Sequence, residues 1–309
     1  MRGAGGMVAA DGARDHGGAV AERNGAGPPR VRHNDYSVLV PPPLGGWVPV
    51  LDVSVVVRAF GGQEKLDLTL ASLAVQSYPA GLLEVVVVDD GSDPPLRLPQ
   101  IRPANTRIVA APPGGSELCR AVQAGADASS GAVVLGLDAG TEVAPVHVEA
   151  QMRWHHLADH LVVLGGERAD ADTGGEEGLR AAGHRAWQAF AGSVWSVRRA
   201  LLAECGGTGS GPVPGEEVHL GYRLAQRGAV FVPEPAATGR RPDGTRTQDR
   251  AEEAARLRGP FLENRVPCRH IRRAVSGRQW QVPLVDVVVE VSGVVFEVVS
   301  DTVERVLGG

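Results

Sequence analysis

Short runs of β-branched residues alternate along the chain with segments whose apolar residues recur at helical spacing. Residues 53–57 and 84–88 are almost continuous apolar runs, as is typical of parallel strands that are covered on both faces. Between them, Leu66, Leu70 and Leu73 fall at positions i, i+4 and i+7, on one face of a helix. This alternation predicts an α/β fold with a mostly parallel sheet flanked by helices.

The same pattern continues towards the C-terminus. Further strands are predicted at 107–111, 132–137, 161–164 and 230–232, and further helices at 116–129, 152–160 and 216–227. The polar, glycine-rich segments 169–183 and 206–215 are predicted to be loops. Near the C-terminus, two β-rich runs at 284–291 and 294–300 flank Ser292-Gly293, and a two-residue turn with glycine favours a hairpin over a helix.

These patterns divide the chain into three parts. Residues 1–48 are rich in Gly, Ala and Pro and lack any period, so we expect a disordered tail. Residues 49–245 hold the alternating strands and helices and form the predicted α/β domain. Residues 246–309 form a β-rich C-terminal extension with the hairpin, and its open strand edge is a candidate surface for homo-oligomers.

Composition narrows the class of protein. The formal net charge is −5 over 309 residues, which argues against a dedicated nucleic-acid binder. Lys65 is the only lysine beside 30 arginines (31 basic residues less one), which we attribute to codon bias. Three widely spaced cysteines indicate neither a disulfide framework nor a zinc site.

The sequence lacks the pattern of a membrane span or a signal peptide. No run of about 18 uncharged apolar residues occurs, and the N-terminus has no basic-then-apolar layout. We therefore expect a cytoplasmic protein. Arg269, Arg272, Arg273 and Arg278 form a basic cluster that fits either a solvated face or a peripheral contact with anionic lipid.

The strongest chemical signal is Asp89-Asp90-Gly91-Ser92, which directly follows the run 84–88. Two carboxylates at the carboxyl end of a buried strand are placed to accept hydrogen bonds from a ligand. Taken alone, the segment fits an ordinary Asp-Gly turn equally well.

The turn is one of six segments that resemble, in order and spacing, the motifs of the family 2 glycosyltransferases. The six segments are VSVVVRAF (53–60), LASLAVQSYP (70–79), DDGS (89–92), LDAGT (137–141), GSVWSVRR (192–199) and GEEVHLGYRL (215–224). Together they extend over about residues 52–240. The resemblance implies a GT-A fold, a Rossmann-like sheet flanked by helices, and a glycosyltransferase of the hexosyltransferase type.

The resemblance also implies a site for a nucleotide-sugar donor, for which UDP-sugars are the first choice. Asp89 and Asp90 match acidic residues that hydrogen-bond the nucleoside. The backbone at Arg58 and Ala59 matches the segment that lines the base. Asp138 matches the first carboxylate of an Asp-x-Asp motif at the diphosphate.

In the family, that motif holds a divalent cation, Mn²⁺ or Mg²⁺, against the diphosphate. Such a cation stabilises the charge of the leaving group and takes oxygen ligands. Here Gly140 replaces the second Asp, and Glu142 is the candidate second ligand beside Asp138. The family's histidine after the base helix is also missing from Ala236-Ala237-Thr238-Gly239. These departures leave three alternatives: weak metal binding, a metal-independent enzyme, or lost catalysis.

Glu217 matches the catalytic base, which takes a proton from the acceptor hydroxyl so that direct attack inverts the anomeric centre. Without the resemblance, Glu216 and Glu217 fit an acidic pair that stabilises a helix N-terminus. The acceptor class is left open between a glycan, a lipid-linked sugar and a small molecule. The alternative function is a catalytically silent GT-A domain that serves as a binding or assembly subunit.

Overall fold

The computed structural model describes residues 33–112, 117–165, 175–190, 194–208, 216–241 and 261–267. The predicted hairpin at 284–300, the basic cluster at 269–278 and the first 32 residues of the predicted tail lie outside these ranges. Within them the chain forms a mixed α/β domain, as the alternating pattern predicts.

Nine strands are described. They are β1 (Val53–Ala59), β2 (Leu83–Asp89), β3 (Thr106–Ala110), β4 (Val133–Asp138), β5 (Glu142–Val143), β6 (Leu161–Leu164), β7 (Trp195–Arg198), β8 (Val230–Pro233) and β9 (Gly239–Arg240). Seven of them form the central sheet in the order β3-β2-β1-β4-β7-β6-β8, and β5 pairs with β9. Strands β3, β2, β1 and β4 are mutually parallel, whereas β7 runs antiparallel to both β4 and β6.

The helices cover both faces of this sheet. They are α1 (Gln63–Leu73), α2 (Glu117–Ala128), α3 (His147–His155), α4 (Gly175–Ala181), α5 (Arg199–Glu204) and α6 (Glu216–Gln226), with 3-10 helices at Ala80–Leu82 and Gly183–Ala189. Residues 261–265 are also helical.

The core consists of two layers, one on each face of the sheet. Along β1 successive valines alternate between them: Val55 packs in the layer beneath α1 and α3, and Val56 in the layer beneath α2 and α6. Both side chains are fully buried. Covering both faces explains why these strands are continuous apolar runs rather than alternating ones.

Helix α3 begins five residues earlier than predicted and ends at His155. Its polar side chains His147, Glu149 and Gln151 are buried, which hides the apolar period that marks a surface helix. Glu149 accepts hydrogen bonds from the backbone of Gly45 (2.6 Å) and from the indole of Trp47 (3.1 Å). The segment 169–183 also differs from the prediction, because it contains α4.

The segment 33–48 packs against the domain, although the prediction assigned it to a disordered tail. The amide of Asn34 donates to the carbonyl of Phe231 (2.9 Å) and accepts from its N–H (2.7 Å), so it satisfies backbone groups of strand β8. Tyr36 is fully buried and meets Trp154 edge-on, with ring centroids 6.2 Å apart. The boundary at 48 therefore lies too late in the chain.

Two histidines are fully buried in the fold. His155 bonds the hydroxyl of Ser196 (2.8 Å), and His147 bonds the carbonyl of Thr238 (2.9 Å). Burial lowers the pKa of His147 to about 4 and that of His155 to about 3. Both histidines are therefore neutral in the native protein at pH 7.

We expect this burial to make stability depend on pH between 7.5 and 5. The unfolded chain binds protons at these histidines below about pH 6.5, whereas the folded chain does not, so stability falls as the pH drops. Each buried histidine should reduce the free energy of unfolding by about 2 kcal/mol at pH 5. Urea unfolding at the two pH values measures the difference.

The variant His155→Gln should show a smaller loss than the wild-type protein between pH 7.5 and pH 5. His160→Gln is the matched control, because it makes the same substitution at a partly exposed position and leaves both buried histidines in place. An identical pH dependence in the His155 variant and the wild type would contradict the assignment.

Candidate functional site

The carboxyl ends of three neighbouring parallel strands place the predicted site residues at one edge of the sheet. The register pairs Arg58 of β1 with Asp138 of β4, and Ala59 of β1 with Asp89 of β2. Ligands of open α/β sheets bind beyond this edge. The structure therefore brings the predicted donor residues together at this edge.

Asp89 shapes the loop that follows β2. Its Oδ1 accepts a hydrogen bond from the N–H of Ser92 (2.9 Å), and its Oδ2 accepts one from the N–H of Leu96 (3.2 Å). Burial acts to raise the pKa of Asp89, but the hydrogen bonds outweigh it and hold the pKa below its ordinary value. A carboxylate has about four acceptor positions, so this role leaves room for a ligand.

The loops that follow β1 and β2 are tied to each other. The hydroxyl of Ser92 accepts a hydrogen bond from the N–H of Gly61 (2.8 Å), and the N–H of Asp90 donates to the carbonyl of Ala59 (2.9 Å). Ala59 itself is buried, while the neighbouring Phe60 is 69% exposed. An exposed aromatic side chain thus lies beside the predicted nucleoside residues.

The side chain of Asp90 is buried and forms an ion pair with Arg120 of helix α2. The sequence analysis assigned Asp90 to the nucleoside, and in the structure its charge is already compensated by a guanidinium. Arg120 adds a basic group that the sequence analysis did not connect with the site.

Asp138 lies between two guanidinium groups. Its Oδ1 pairs with Arg58, and its Oδ2 pairs with Arg241, which follows β9, at 3.0 Å. The side chain of Asp138 is 12% exposed and that of Arg58 is 16% exposed, so their pair is largely shielded from solvent. Arg241 is 44% exposed and approaches the carboxylate from the solvent side. Arg58 therefore contributes its side chain to the site, and not only the backbone that the resemblance assigned to it.

The turn after β4 packs against helix α1. The N–H of Gly140 donates to the carbonyl of Lys65 (3.0 Å) and to the hydroxyl of Thr69 (2.9 Å). The φ angle of Gly140 is +89°, a conformation that side chains other than glycine rarely adopt. A Cβ atom at this position would lie 3.5 Å from Cδ of Lys65. A lysine side chain thus lies next to the place of the family's second carboxylate.

Glu142 does not join Asp138 in a metal site. It lies on β5, is 44% exposed, and pairs with Arg240 of β9 at 3.1 Å. Among the described residues, no group of three His, Cys, Asp or Glu side chains is placed to hold a metal ion. Asp138 is paired with two arginines and Glu142 with a third, so the residues present do not fit the predicted divalent cation, and we assign no step to a metal.

Glu217 lies on a helix and not at the end of a central strand. It lies in the first turn of α6, which packs against the 3-10 helix at 183–189 and against α2. Gly221 allows the first of these contacts, because a Cβ there would lie 2.6 Å from the carbonyl oxygen of Trp187. The role of Glu217 as a base rests on the resemblance and stays a prediction.

The sequence analysis missed three basic residues of this edge: Lys65, Arg120 and Arg241. Lys65 carried one usable signal, since it is the only lysine of the chain and lies near the start of the helix after β1. Arg241 carried none, because it reaches Asp138 through the pairing of β5 with β9, a contact between segments about 100 residues apart.

The sheet order, the helices on both faces and the charged edge define a GT-A fold. Residues 54–192 match the family model described as glycosyl transferase family 2. The resemblance that the motifs carry is therefore confirmed for residues 54–192, which are similar to this family.

Two solved structures are similar to the chain at the level of the fold. The first is a mannosyltransferase from Pyrobaculum calidifontis in complex with GDP-Man and Mn²⁺, with a TM-score of 0.51, 20% identity and coverage of 70% of this chain. The chain spans 65% of the length of that protein. The second, described as a mycobacterial protein, has a TM-score of 0.51 and 18% identity, and the match covers 69% of this chain and 74% of that one.

Two further findings bear on the class of protein. None of the curated proteins matches the chain. Within the described ranges, no helix is long and apolar enough to cross a membrane.

The hydrogen bonds of Asp89 lead to a prediction about stability. The variant Asp89→Asn replaces one carboxylate oxygen by an NH₂ group, which cannot accept a hydrogen bond from a backbone N–H. The free energy of unfolding should therefore fall by about 1–3 kcal/mol. Urea unfolding at pH 7 measures this loss. Asp93→Asn in the same loop is the matched control, since Asp93 is exposed, and equal stability of the two variants would contradict the role of Asp89.

Proposed function

We propose that the chain is an inverting glycosyltransferase that transfers a sugar from a nucleotide-diphosphate sugar to an acceptor hydroxyl. The family of residues 54–192 supports this proposal. The observation that supports it most directly is the meeting of Arg58, Asp89 and Asp138 at the carboxyl edge of three adjacent parallel strands.

The proposed donor lies across this edge. The nucleoside would contact the loop held by Asp89 and the neighbouring Asp90, with the backbone of Ala59 and the exposed ring of Phe60 beside the base. The diphosphate would lie towards Asp138, where Arg58 and Arg241 are held. We propose a UDP-sugar as the first donor to be tested.

The proposed reaction is a single displacement at the anomeric carbon. Glu217 takes the proton of the acceptor hydroxyl as that oxygen forms the new bond to the anomeric carbon. The bond from this carbon to the diphosphate oxygen breaks, and its electron pair leaves with the nucleoside diphosphate. Attack from the face opposite to the leaving group inverts the configuration.

A second candidate function is a silent GT-A domain that binds a partner without transferring sugar. It is favoured by the ion pairs of Asp90 with Arg120 and of Asp138 with Arg58 and Arg241, which compensate the charge of these carboxylates without a ligand. This alternative requires that no donor supports turnover.

The variant Glu217→Gln tests the enzyme directly. Loss of a general base should slow transfer by about 10²–10⁴-fold, while donor affinity stays the same because Glu217 faces the acceptor in the proposed reaction. The release of nucleoside diphosphate measures turnover, and calorimetry measures donor binding. Glu216→Gln is the matched control, with the same change of charge one residue earlier.

Two results would count against this proposal in different ways. Near-normal turnover of the Glu217 variant would remove Glu217 as the base while leaving the enzyme in place. The absence of turnover in the wild-type protein with UDP-, GDP-, dTDP- and CDP-sugars would favour the silent domain.

A further inference from the structure

We infer that Arg58, Lys65 and Arg241 bind the diphosphate of the donor in the place that a divalent cation takes in metal-dependent glycosyltransferases. This inference rests on the proposed function, because it concerns the binding of the same donor. It selects the metal-independent alternative among the three that the sequence leaves open.

The environment of Asp138 is unlike that of a metal ligand. A carboxylate that binds a divalent cation directs its oxygen atoms at that ion. Here one oxygen of Asp138 pairs with Arg58 and the other pairs with Arg241. The two guanidinium groups beside Asp138 would repel a cation that approached the same carboxylate.

Position 140 also departs from the family's motif. The family's second carboxylate is absent, and the left-handed backbone of Gly140 disfavours any side chain there. The aliphatic stem of Lys65 lies against this glycine, with Cβ, Cγ and Cδ all within 3.6 Å of where a Cβ would be. Where the family has an acidic side chain two residues after Asp138, this chain has a glycine with the stem of a lysine beside it.

The balance of charge also supports this inference. Two guanidinium groups pair with one carboxylate, so this group of three side chains has a net positive charge before a donor binds. The stem of Lys65 lies against Gly140, two residues after this carboxylate. A divalent cation supplies the same sign of charge at a diphosphate. Guanidinium groups bind phosphate oxygens through paired hydrogen bonds, and these are stronger at a site shielded from solvent.

In this arrangement Asp138 is a positioning residue. It holds Arg58 from β1 and Arg241 from the end of β9 on either side of one carboxylate, although the two arginines are far apart in sequence. Arg58 is only 16% exposed, so the orientation of its guanidinium is set by this pair and by the surrounding sheet. The diphosphate would then meet both groups without the ordering of two flexible side chains.

The test compares the binding of nucleotides with and without metal. UDP, GDP, UMP and GMP are titrated into the full chain by calorimetry, in EDTA and in Mn²⁺. We expect at least one nucleoside diphosphate to bind in EDTA with an affinity within about threefold of that in Mn²⁺, since arginines take the place of a cation beside Asp138. The matching monophosphate should bind more weakly, because it lacks the second phosphate.

The variant Arg241→Gln tests whether these basic residues cause the binding of the diphosphate in EDTA. It should weaken binding of the diphosphate in EDTA by about tenfold or more, the effect of losing one charged hydrogen bond, and change monophosphate binding much less. Arg240→Gln is the matched control, because Arg240 is adjacent, is 70% exposed and pairs with Glu142 instead of Asp138. Thermal unfolding of each variant verifies that it is folded.

The possible failures can be told apart. Binding that requires Mn²⁺ would overturn the inference and leave the proposed function standing. An equal loss of diphosphate affinity in both variants would also overturn the inference, because it would show only an effect of overall charge. No loss of affinity in either variant would overturn it too, because Arg241 would then make no contribution to binding. A lack of nucleotide binding under every condition would reject the proposed function and the inference together.

Discussion

The ion pairs of Asp138 with Arg58 and Arg241 are the interaction on which the arrangement of the site depends. They connect the end of β4 to the end of β1 and to the segment after β9, three parts of the chain that are distant in sequence. Because the carboxylate is largely shielded from solvent, separating it from both arginines would leave a buried charge without compensation. The same pairs fix the orientation of the basic groups at this edge, so its charge and its geometry have one origin.

The fold brings these residues together through features that are visible in the sequence. The valine-rich runs of β1 and β2 and the apolar run of β4 require cover on both faces, and parallel pairing then aligns their carboxyl ends. For this reason the α/β class could be predicted from the apolar pattern, and the GT-A fold from the resemblance of the motifs. The predicted bounds of α3 were wrong because its buried polar residues, Glu149 and Gln151, hide the apolar period of the helix. The packing of Asn34 and Tyr36 on the domain was also missed, because the segment around them has no periodic pattern.

The site could be predicted only in part, and the reason is physical. Asp89, Asp90 and Asp138 follow strands, so their placement comes from local sequence together with the parallel register. The partners that determine their chemistry, Arg120 and Arg241, come from a helix and from a strand pairing formed over long distances. A motif identifies a carboxylate, but whether it meets a metal or a guanidinium depends on such contacts. The local signs of the difference were the absence of a second Asp at Gly140 and of a histidine at 236–239.

The central claim is that a nucleotide-diphosphate donor binds at the carboxyl edge of β1, β2 and β4. Hydrogen exchange of the full chain, measured by mass spectrometry with and without saturating UDP or GDP, tests it most directly. We predict slower exchange in three segments, 58–62, 89–97 and 138–141, with little change in α3 and β6. Protection confined to other parts of the chain, in the presence of a nucleotide that binds, would contradict the claim.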